Sequence, residues 1–194
     1  MDASTVVLDA DTAAPGRPFT ALDRTRADFV ALRRMRAALA RRLAAGKDAG
    51  TWEEDGEAHL LVAPRPDALA LPSLAVGFFS EARNVDHAPI LKLEYALLDR
   101  ADTVEGFVSY HNVRFANGRW GNLVTFDDAG GPTEVRDHPI HREALSLTAA
   151  HYRTVRLHRL RLRDGAAGTA EPDLRETLLF DFDDSPPWRA VRPG

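Results

Sequence analysis

The stretch from Leu74 to Leu162 constrains the fold more than any other part of the chain, because strand-like and helix-like segments alternate along it. Residues 74–79 are short and apolar on both sides, which is typical of an interior strand. Two segments with helical spacing and three further strand-like segments follow, namely 90–99, 106–115, 121–126, 139–152 and 155–162. Since the first and fourth of these are helical, the order predicts a βαββαβ unit built on an antiparallel sheet.

A sheet of this kind carries both of its helices on one face. The other face is left bare, and a bare apolar sheet face needs a covering surface. We therefore expect a homodimer in which two sheets pack through their open faces. The pocket between each sheet and its two helices would stay free for a small molecule.

The segments on either side of this unit are interpreted as additions to it. Apolar residues recur at helical spacing from Leu22 to Leu43 and Gly46 ends the run, which predicts an amphipathic helix. Its other side is rich in arginine, and we interpret that side as a solvated face rather than an anion site. Residues 58–63 and 178–182 have strand-like patterns. The predicted organisation is an N-terminal helical extension over 1–71, a core over 72–164 and a C-terminal tail over 165–194.

Composition excludes several classes of function. The chain of 194 residues has no cysteine, so disulfides, thiolate metal sites and cysteine nucleophiles are excluded, and a cytoplasmic location is expected. The formal net charge is -4 with interspersed signs, and no basic stripe marks a nucleic-acid-binding surface. No apolar run reaches the roughly 18 to 20 residues of a membrane span. We expect neither nucleic acid nor a membrane as a partner.

The start of the second predicted helix is marked by His138 and His141. Both side chains could point toward one ligand, but no third residue follows at metal-binding spacing. His141 by itself lies on the side of the helix that faces the sheet, and Tyr152 lies close to the same line. There it would be a neutral, half-buried base or an axial ligand to a haem iron. The alternative is structural: His138 caps the helix and His141 hydrogen-bonds a loop carbonyl.

The predicted strand 106–115 places two sets of side chains on its two faces. His111 belongs to the apolar set, where it is interpreted as either a satisfied core residue or part of a ligand pocket. The opposite face carries Tyr110, Asn112 and Arg114.

The strand order, the chain length and the histidine-marked second helix make residues 72–164 resemble the dimeric α/β barrel superfamily, and within it the antibiotic-biosynthesis-monooxygenase-like proteins. The resemblance implies an α+β fold: a ferredoxin-like βαββαβ antiparallel sheet that forms a dimeric α/β barrel, with an N-terminal helix and a C-terminal tail. Some members oxidise aromatic polyketides without a cofactor, and others bind or degrade haem. The haem-degrading members place an axial histidine on the second helix, which corresponds to His141.

These observations favour a small-molecule oxidative enzyme of bacterial secondary metabolism, monooxygenase-like, with or without haem b. The expected catalytic residues are His141, Tyr110 and Asn112, with His141 as base or as ligand to the haem iron. The residues expected to bind the cofactor are His141, His111, Tyr152 and Arg114. The alternative is a non-catalytic protein that binds haem or a hydrophobic small molecule in the same pocket. A third interpretation is an assembly or regulatory partner that uses the arginine-rich helix.

Overall fold

A computed structural model describes residues 5–127 and 130–194. Its strands are β1 (Val6–Val7), β2 (Gly50–Glu54), β3 (Glu57–Val62), β4 (Ser73–Ala82), β5 (Phe107–Arg114), β6 (Trp120–Phe126), β7 (Tyr152–Leu162), β8 (Asp173–Asp181) and β9 (Trp188–Pro193). Its α-helices are α1 (Leu22–Ala44), α2 (Ala88–Leu98), α3 (Gly131–Asp137) and α4 (Pro139–His151). Short 3-10 helices occupy Pro18–Thr20, Pro66–Ala70 and Ala101–Thr103.

All the strands belong to one open sheet. Their order is β1-β9-β8-β7-β4-β6-β5-β3-β2. Neighbouring strands are antiparallel, except that β1 runs parallel to β9. The sheet is therefore mixed, and its two edges are formed by β1 and β2, which come from the first third of the chain.

The predicted ferredoxin-like sheet that closes as a dimeric α/β barrel is wrong. The structure is an open sheet of nine strands, because segments expected as an extension and a tail add strands at both edges. The hairpin of β2 and β3 pairs with β5, and the hairpin of β8 and β9 pairs with β7. A strand at a sheet edge has unpaired backbone donors and acceptors, and these hairpins satisfy them within the chain.

Helix α1 covers the sheet face that was expected to meet a second subunit. Leu32 and Met35 of α1 are fully buried in one cluster with Ala75 and Phe79 of β4. At Gly77 a β-carbon would lie 3.3 Å from Leu32 Cδ2, so the absence of a side chain there lets the helix approach closely. Full burial of each large apolar side chain contributes about 1.5–3 kcal/mol. The predicted dimer contact through this face is therefore wrong, since the chain buries the face itself.

A buried carboxylate fixes α1 against the sheet. Asp28 is 1% exposed and accepts two hydrogen bonds from Arg156 on β7, at 2.6 and 2.9 Å, and one from His158 Nε2 at 3.0 Å. Burial alone raises the pKa of the Asp28 carboxyl, but the hydrogen bonds from His158 and Arg156 outweigh it and hold the pKa below its ordinary value. Arg119, which is only partly buried, donates a further hydrogen bond to Asp28 Oδ1 at 3.2 Å. The bidentate Arg156–Asp28 pair also sets the direction of the helix across the strands.

The arginine-rich side of α1 was predicted to be a solvated face. In the structure its arginines are not simply solvated. Arg36 is 2% exposed, and its guanidinium donates to backbone carbonyls of the 164–170 segment and to Asp164 Oδ1 at 2.7 Å. Other arginines of the helix pair with acids: Arg33 with Glu171, Arg34 with Glu57 and Arg41 with Glu54. These arginines thus bind parts of their own chain.

Within the two described ranges, no helix combines the length and the apolar character that crossing a bilayer requires.

Asp28→Asn is expected to destabilise the protein by about 3–5 kcal/mol, because the buried Arg156 guanidinium would lose its counter-charge. Urea denaturation at pH 7 measures this. The matched control is Glu171→Gln, which removes the charge of an exposed pair with Arg33 and should cost less than about 1 kcal/mol. Equal free energies of unfolding for the two variants would contradict a structural role for Asp28.

Candidate functional site

The two faces of the sheet differ in how well they are sealed. On β4, the side chains that face α1 are buried, whereas the alternate ones that face α2 and α4, including Val76 and Phe78, remain partly exposed. The same alternation occurs on β6. Helix α2 has no buried residue, and in α4 only His151 is buried. Several side chains on this side of the sheet are therefore partly accessible, and we call the space between α2, α4 and the sheet the helix–sheet cleft.

The floor of the helix–sheet cleft is a row of four side chains. Asn112 of β5 lies opposite Asn122 of β6, Asn122 lies opposite Phe78 of β4, and Phe78 lies opposite Leu157 of β7. Residues directly opposite each other in an antiparallel sheet share a face, with Cβ atoms about 4.5–5.5 Å apart. The floor therefore has a polar half, formed by the two asparagines, and an apolar half.

Glu94 of α2 reaches down to the polar half of this floor. The hydroxyl of Tyr110 donates to Glu94 Oε1 at 2.8 Å, and Asn112 Nδ2 donates to the same oxygen at 3.1 Å. Asn112 Nδ2 also donates to the Tyr110 hydroxyl at 3.1 Å. The three side chains form a closed triangle that joins α2 to β5, and all their donor hydrogens are used within it.

Burial controls the protonation of this triangle. It raises the pKa of Glu94 above the ordinary carboxyl value, although the bonds from Tyr110 and Asn112 act against the shift. Burial and the nearby Glu94 charge raise the pKa of Tyr110 well above 10. The same two causes raise the pKa of Tyr152 to about 12. Both phenols therefore stay protonated at neutral pH, and Glu94 is the acid–base group of the cluster.

Two acceptor oxygens of the cleft have no protein partner. Every hydrogen bond that Glu94 makes in the described part of the chain goes to Oε1, so Oε2 is open. Asn122 Oδ1 is buried and makes no hydrogen bond. Of these two oxygens, Glu94 Oε2 is the one that a ligand could reach, since Asn122 Oδ1 is sealed from solvent.

A pair of histidines lies beside Tyr152. The Nδ1 atoms of His87 and His151 are 3.3 Å apart, and the ring of His87 lies 6.1 Å from that of Tyr152. Since His87 Nε2 is 3.0 Å from the carbonyl of Arg83, it donates there, and its Nδ1 accepts from His151. This contact ties the start of α2 to the end of α4. Tyr152 in turn packs edge-on against Phe78 of the floor.

The structure brings together only part of the predicted catalytic set. Tyr110 and Asn112 are hydrogen-bonded to each other, and the charge of their partner Glu94 contributes to the raised pKa of Tyr152. His141 makes no contact with them among the described interactions: its Nδ1 lies 3.4 Å from the carbonyl of Arg136. His138 caps α4, with Nδ1 accepting from the amide of Ile140 at 3.3 Å. The expected cap by His138 is present, whereas His141 contacts a carbonyl of α3 rather than of a loop, and a role for His141 as base stays a prediction.

His111 lies on the opposite, α1 side of the sheet. It is fully buried, its Nε2 is 3.1 Å from Nδ1 of His59, and both imidazoles stack with Trp52. The guanidinium of Arg42 on α1 lies over the Trp52 ring, at 4.4 Å from its centroid. Burial lowers the pKa of His111 to about 3, so the ring is neutral. His111 belongs to the packing between α1 and the β2–β3 hairpin rather than to the helix–sheet cleft.

The residues expected to bind haem b do not converge. His111 and His141 lie on opposite sides of the sheet, and Arg114 is exposed at the end of β5, with its guanidinium 5.9 Å from the ring of Trp120. Within residues 5–127 and 130–194, no three histidine or acidic side chains are placed to hold a metal ion. Haem binding at His141 stays a prediction from the sequence.

Sequence reasoning missed Glu94 and Asn122, although both left a signal. Glu94 lies on the apolar stripe of α2, four residues after Ile90 and four before Leu98, so it is a charge on the face that packs inward. Asn122 stands between apolar residues in a strand. A charged or amide side chain in an otherwise apolar pattern is the signal by which both could have been found.

Two surface depressions lie outside the cleft. One, of about 430 Å³, lies along α1 near Phe29 and Arg33. The other, of about 360 Å³, lies where β7 and β8 meet and is lined by arginines, of which Arg175 pairs with Asp173 at 3.3 Å. The first includes Thr25, whose buried hydroxyl oxygen makes no hydrogen bond.

Comparison with known proteins does not assign a family. No protein-family model matches the chain, and no protein of curated function matches it. A solved structure, that of NE2512, a protein of unknown function from Nitrosomonas europaea, aligns with 48% of this chain and 91% of that chain, at 17% identity and a TM-score of 0.41. The assignment to the antibiotic-biosynthesis-monooxygenase-like proteins of the dimeric α/β barrel superfamily is therefore wrong, since neither the sheet nor the comparisons support it.

Stability is expected to fall with acid because His111 and His59 are held neutral. The pKa of His111 is lowered from 6.5 to about 3 and that of His59 is lowered too, so the unfolded chain takes up protons that the folded chain does not. The contribution of the neutral histidines to the free energy of unfolding is complete above pH 6.5 and is lost as the pH falls toward 3. The free energy of unfolding then changes by up to about 1.4 kcal/mol per pH unit for each histidine. Urea denaturation between pH 7 and 4 should show a weaker slope for His111→Phe, and equal slopes would contradict this prediction.

Proposed function

We propose that the protein binds a small molecule in the helix–sheet cleft and that Glu94 accepts a proton or a hydrogen bond from it. The observation that carries the proposal is the state of the Glu94 carboxylate. One oxygen is held by Tyr110 and Asn112, and the other makes no hydrogen bond in the described part of the chain and faces the helix–sheet cleft.

The environment of Glu94 suits a general base. A carboxylate whose pKa is raised by burial binds a proton more readily at neutral pH than an exposed one does. Tyr110 and Asn112 hold the carboxylate in one orientation, so that Oε2 points to a single position. A ligand N–H or O–H at that position would transfer or share its proton with Glu94.

The apolar half of the floor would hold the body of the ligand. Phe78 and Leu157 are partly exposed, and the ring of Tyr152 stands edge-on at 5.6 Å from that of Phe78. Apolar walls with a few placed polar groups are typical of small-molecule sites. All of these residues come from one chain, so the site needs no partner subunit.

This proposal keeps three residues of the predicted set and changes their arrangement. Tyr110, Asn112 and Tyr152 remain, whereas Glu94 takes the role of base that was expected of His141. The Glu94 carboxylate favours neutral or cationic ligands. Oxidation of the bound molecule stays a prediction from the sequence.

Glu94→Gln is expected to weaken binding of a neutral probe, because the hydrogen bond to a charged acceptor becomes one to a neutral amide. Phenol presents one O–H donor on an apolar ring and serves as the probe in a titration followed by NMR at pH 7.5. We expect phenol to bind in the millimolar range, and the dissociation constant to rise about tenfold in the variant. The shifts of wild-type resonances should centre on Glu94 and Asn112.

The control is Glu176→Gln, which removes the charge of a surface carboxylate paired with Arg159 on β7. It should leave phenol binding unchanged. Absence of phenol binding to the wild-type protein, or equal affinity in Glu94→Gln, would refute the proposal.

A further inference from the structure

The row of side chains that forms the cleft floor continues across the sheet beyond α4. Leu157 of β7 lies opposite Leu178 of β8. Leu178 in turn lies opposite Val191 of β9, and Val191 pairs with Val7 of the edge strand β1. Phe180 shares this face with Leu178, since alternate residues of a strand point to the same side. We call Leu178, Phe180, Val191 and Val7 the outer patch.

The outer patch has no cover within the described chain. Helix α4 packs on β7, whereas no described helix packs extensively on β8 or β9. On the opposite face of these strands, Leu179 is fully buried in a cluster with Phe19. On the patch side, Val7 is 70% exposed, and Phe180 and Val191 are partly exposed. A continuous exposed apolar group with a polar rim is typical of an interaction surface.

Arginines stand on both sides of this row. Arg159 lies two residues after Leu157 on β7, and Arg189 lies two residues before Val191 on β9. Because β7 and β9 are both antiparallel to β8, the two arginines lie on opposite sides of the row. Each is about 7 Å from the row along its strand. The Arg189 guanidinium is also 5.6 Å from the centroid of the Phe180 ring.

The surface around the outer patch is positively charged. Arg161, Arg163 and Arg175 line the depression of about 360 Å³ next to it, together with Asp173. The arginines are therefore Arg159, Arg161, Arg163, Arg175 and Arg189, and the acids are Asp173 and Glu176. Five arginines and two acids leave a local charge of +3, although the whole chain has a formal net charge of -4. In the described part of the chain, Arg161 and Arg189 pair with no acid.

We propose that the outer patch binds an amphipathic helix of a partner protein, with aliphatic side chains on one side and Asp or Glu on both flanks. The row from Leu157 to Val7 crosses three strand spacings, or about 15 Å, which matches about ten helical residues. The aliphatic side would cover Val191 and Val7, and the acids would meet the arginines. This site is separate from the proposed function of the cleft.

Charge complementarity selects this partner over a second copy of the chain. A two-fold contact through the outer patch would bring the same surface of both copies together. The unpaired arginines Arg161 and Arg189 would then face a second positive surface, and like charges across an interface oppose binding.

The probe is an 18-residue labelled peptide of leucine, alanine and glutamate, with the leucines on one side of the helix and the glutamates on its flanks. Fluorescence anisotropy at pH 7.5 and 100 mM NaCl should give a Kd below about 100 μM. A peptide with lysine in place of glutamate, and an isomer with the leucines spread around the helix, should bind at least about tenfold more weakly. Binding should also weaken at 500 mM NaCl.

Variants at exposed positions locate the site without disturbing the fold. The double variant Arg161→Glu, Arg189→Glu should raise the Kd of the acidic peptide about tenfold. Val7→Ser should raise it about threefold, because apolar contact area is lost. Matched controls lie on the exposed side of α1, where Arg24→Glu, Arg26→Glu and Val30→Ser should keep the wild-type Kd.

Several results would overturn the inference. These are failure of the acidic peptide to bind, equal binding of the isomer, and unchanged binding in the Arg161 and Arg189 double variant. Sedimentation of the protein alone tests for a second copy: a dimer that Val7→Ser dissociates would assign the patch to self-association and refute the proposal. Tighter binding to phosphatidylglycerol vesicles than to the peptide, lost in the double variant, would assign it to a lipid surface and refute it as well.

Discussion

The burial of Asp28 between α1 and β7 is the constraint on which the rest of the structure depends. A lone carboxylate in this position would be costly, and here the bidentate bond from Arg156 and the bond from His158 compensate it. Such a pair tolerates little displacement, so it selects one placement of α1 on the sheet. The apolar residues on the same helix then complete a core with β4, and the sheet face needs no cover from another molecule.

Because α1 seals one face of the sheet, the accessible polar groups lie on the other face. The α1 side contains the neutral His59–His111 pair and the Asp28 cluster, both of which join elements together. On the α2 and α4 side, burial is incomplete, and the polar groups there are not all satisfied. Glu94 is hydrogen-bonded through one carboxylate oxygen. The side-chain oxygen of Asn122 makes no hydrogen bond within the described part of the chain. Buried polar atoms without partners also occur on the α1 side, at Thr25 Oγ1 and His111 Nδ1, so Asn122 by itself does not mark a site.

Local elements were predictable, and their partners were not. The apolar spacing predicted a helix over 22–43 where α1 runs from Leu22 to Ala44, and a strand over 74–79 inside β4. Residues 58–63 and 178–182 were recognised as strand-like, yet nothing local shows which edge a strand joins, because the hydrogen bonds of a sheet link residues far apart in sequence. The sheet was therefore predicted too small, and the covering surface was assigned to a second subunit.

The sequence by itself determined the periodic segments, the lack of cysteine chemistry and the face on which Tyr110 and Asn112 lie, because these follow from spacing and residue type alone. Only the tertiary structure decided that α1 covers one sheet face, that Glu94 rather than His141 meets Tyr110, and that His111 lies on the opposite side from the cleft. The physical reason is that contacts between elements depend on which buried charges and hydrogen bonds can be satisfied together. That condition involves residues such as Asp28 and His158, which are 130 positions apart.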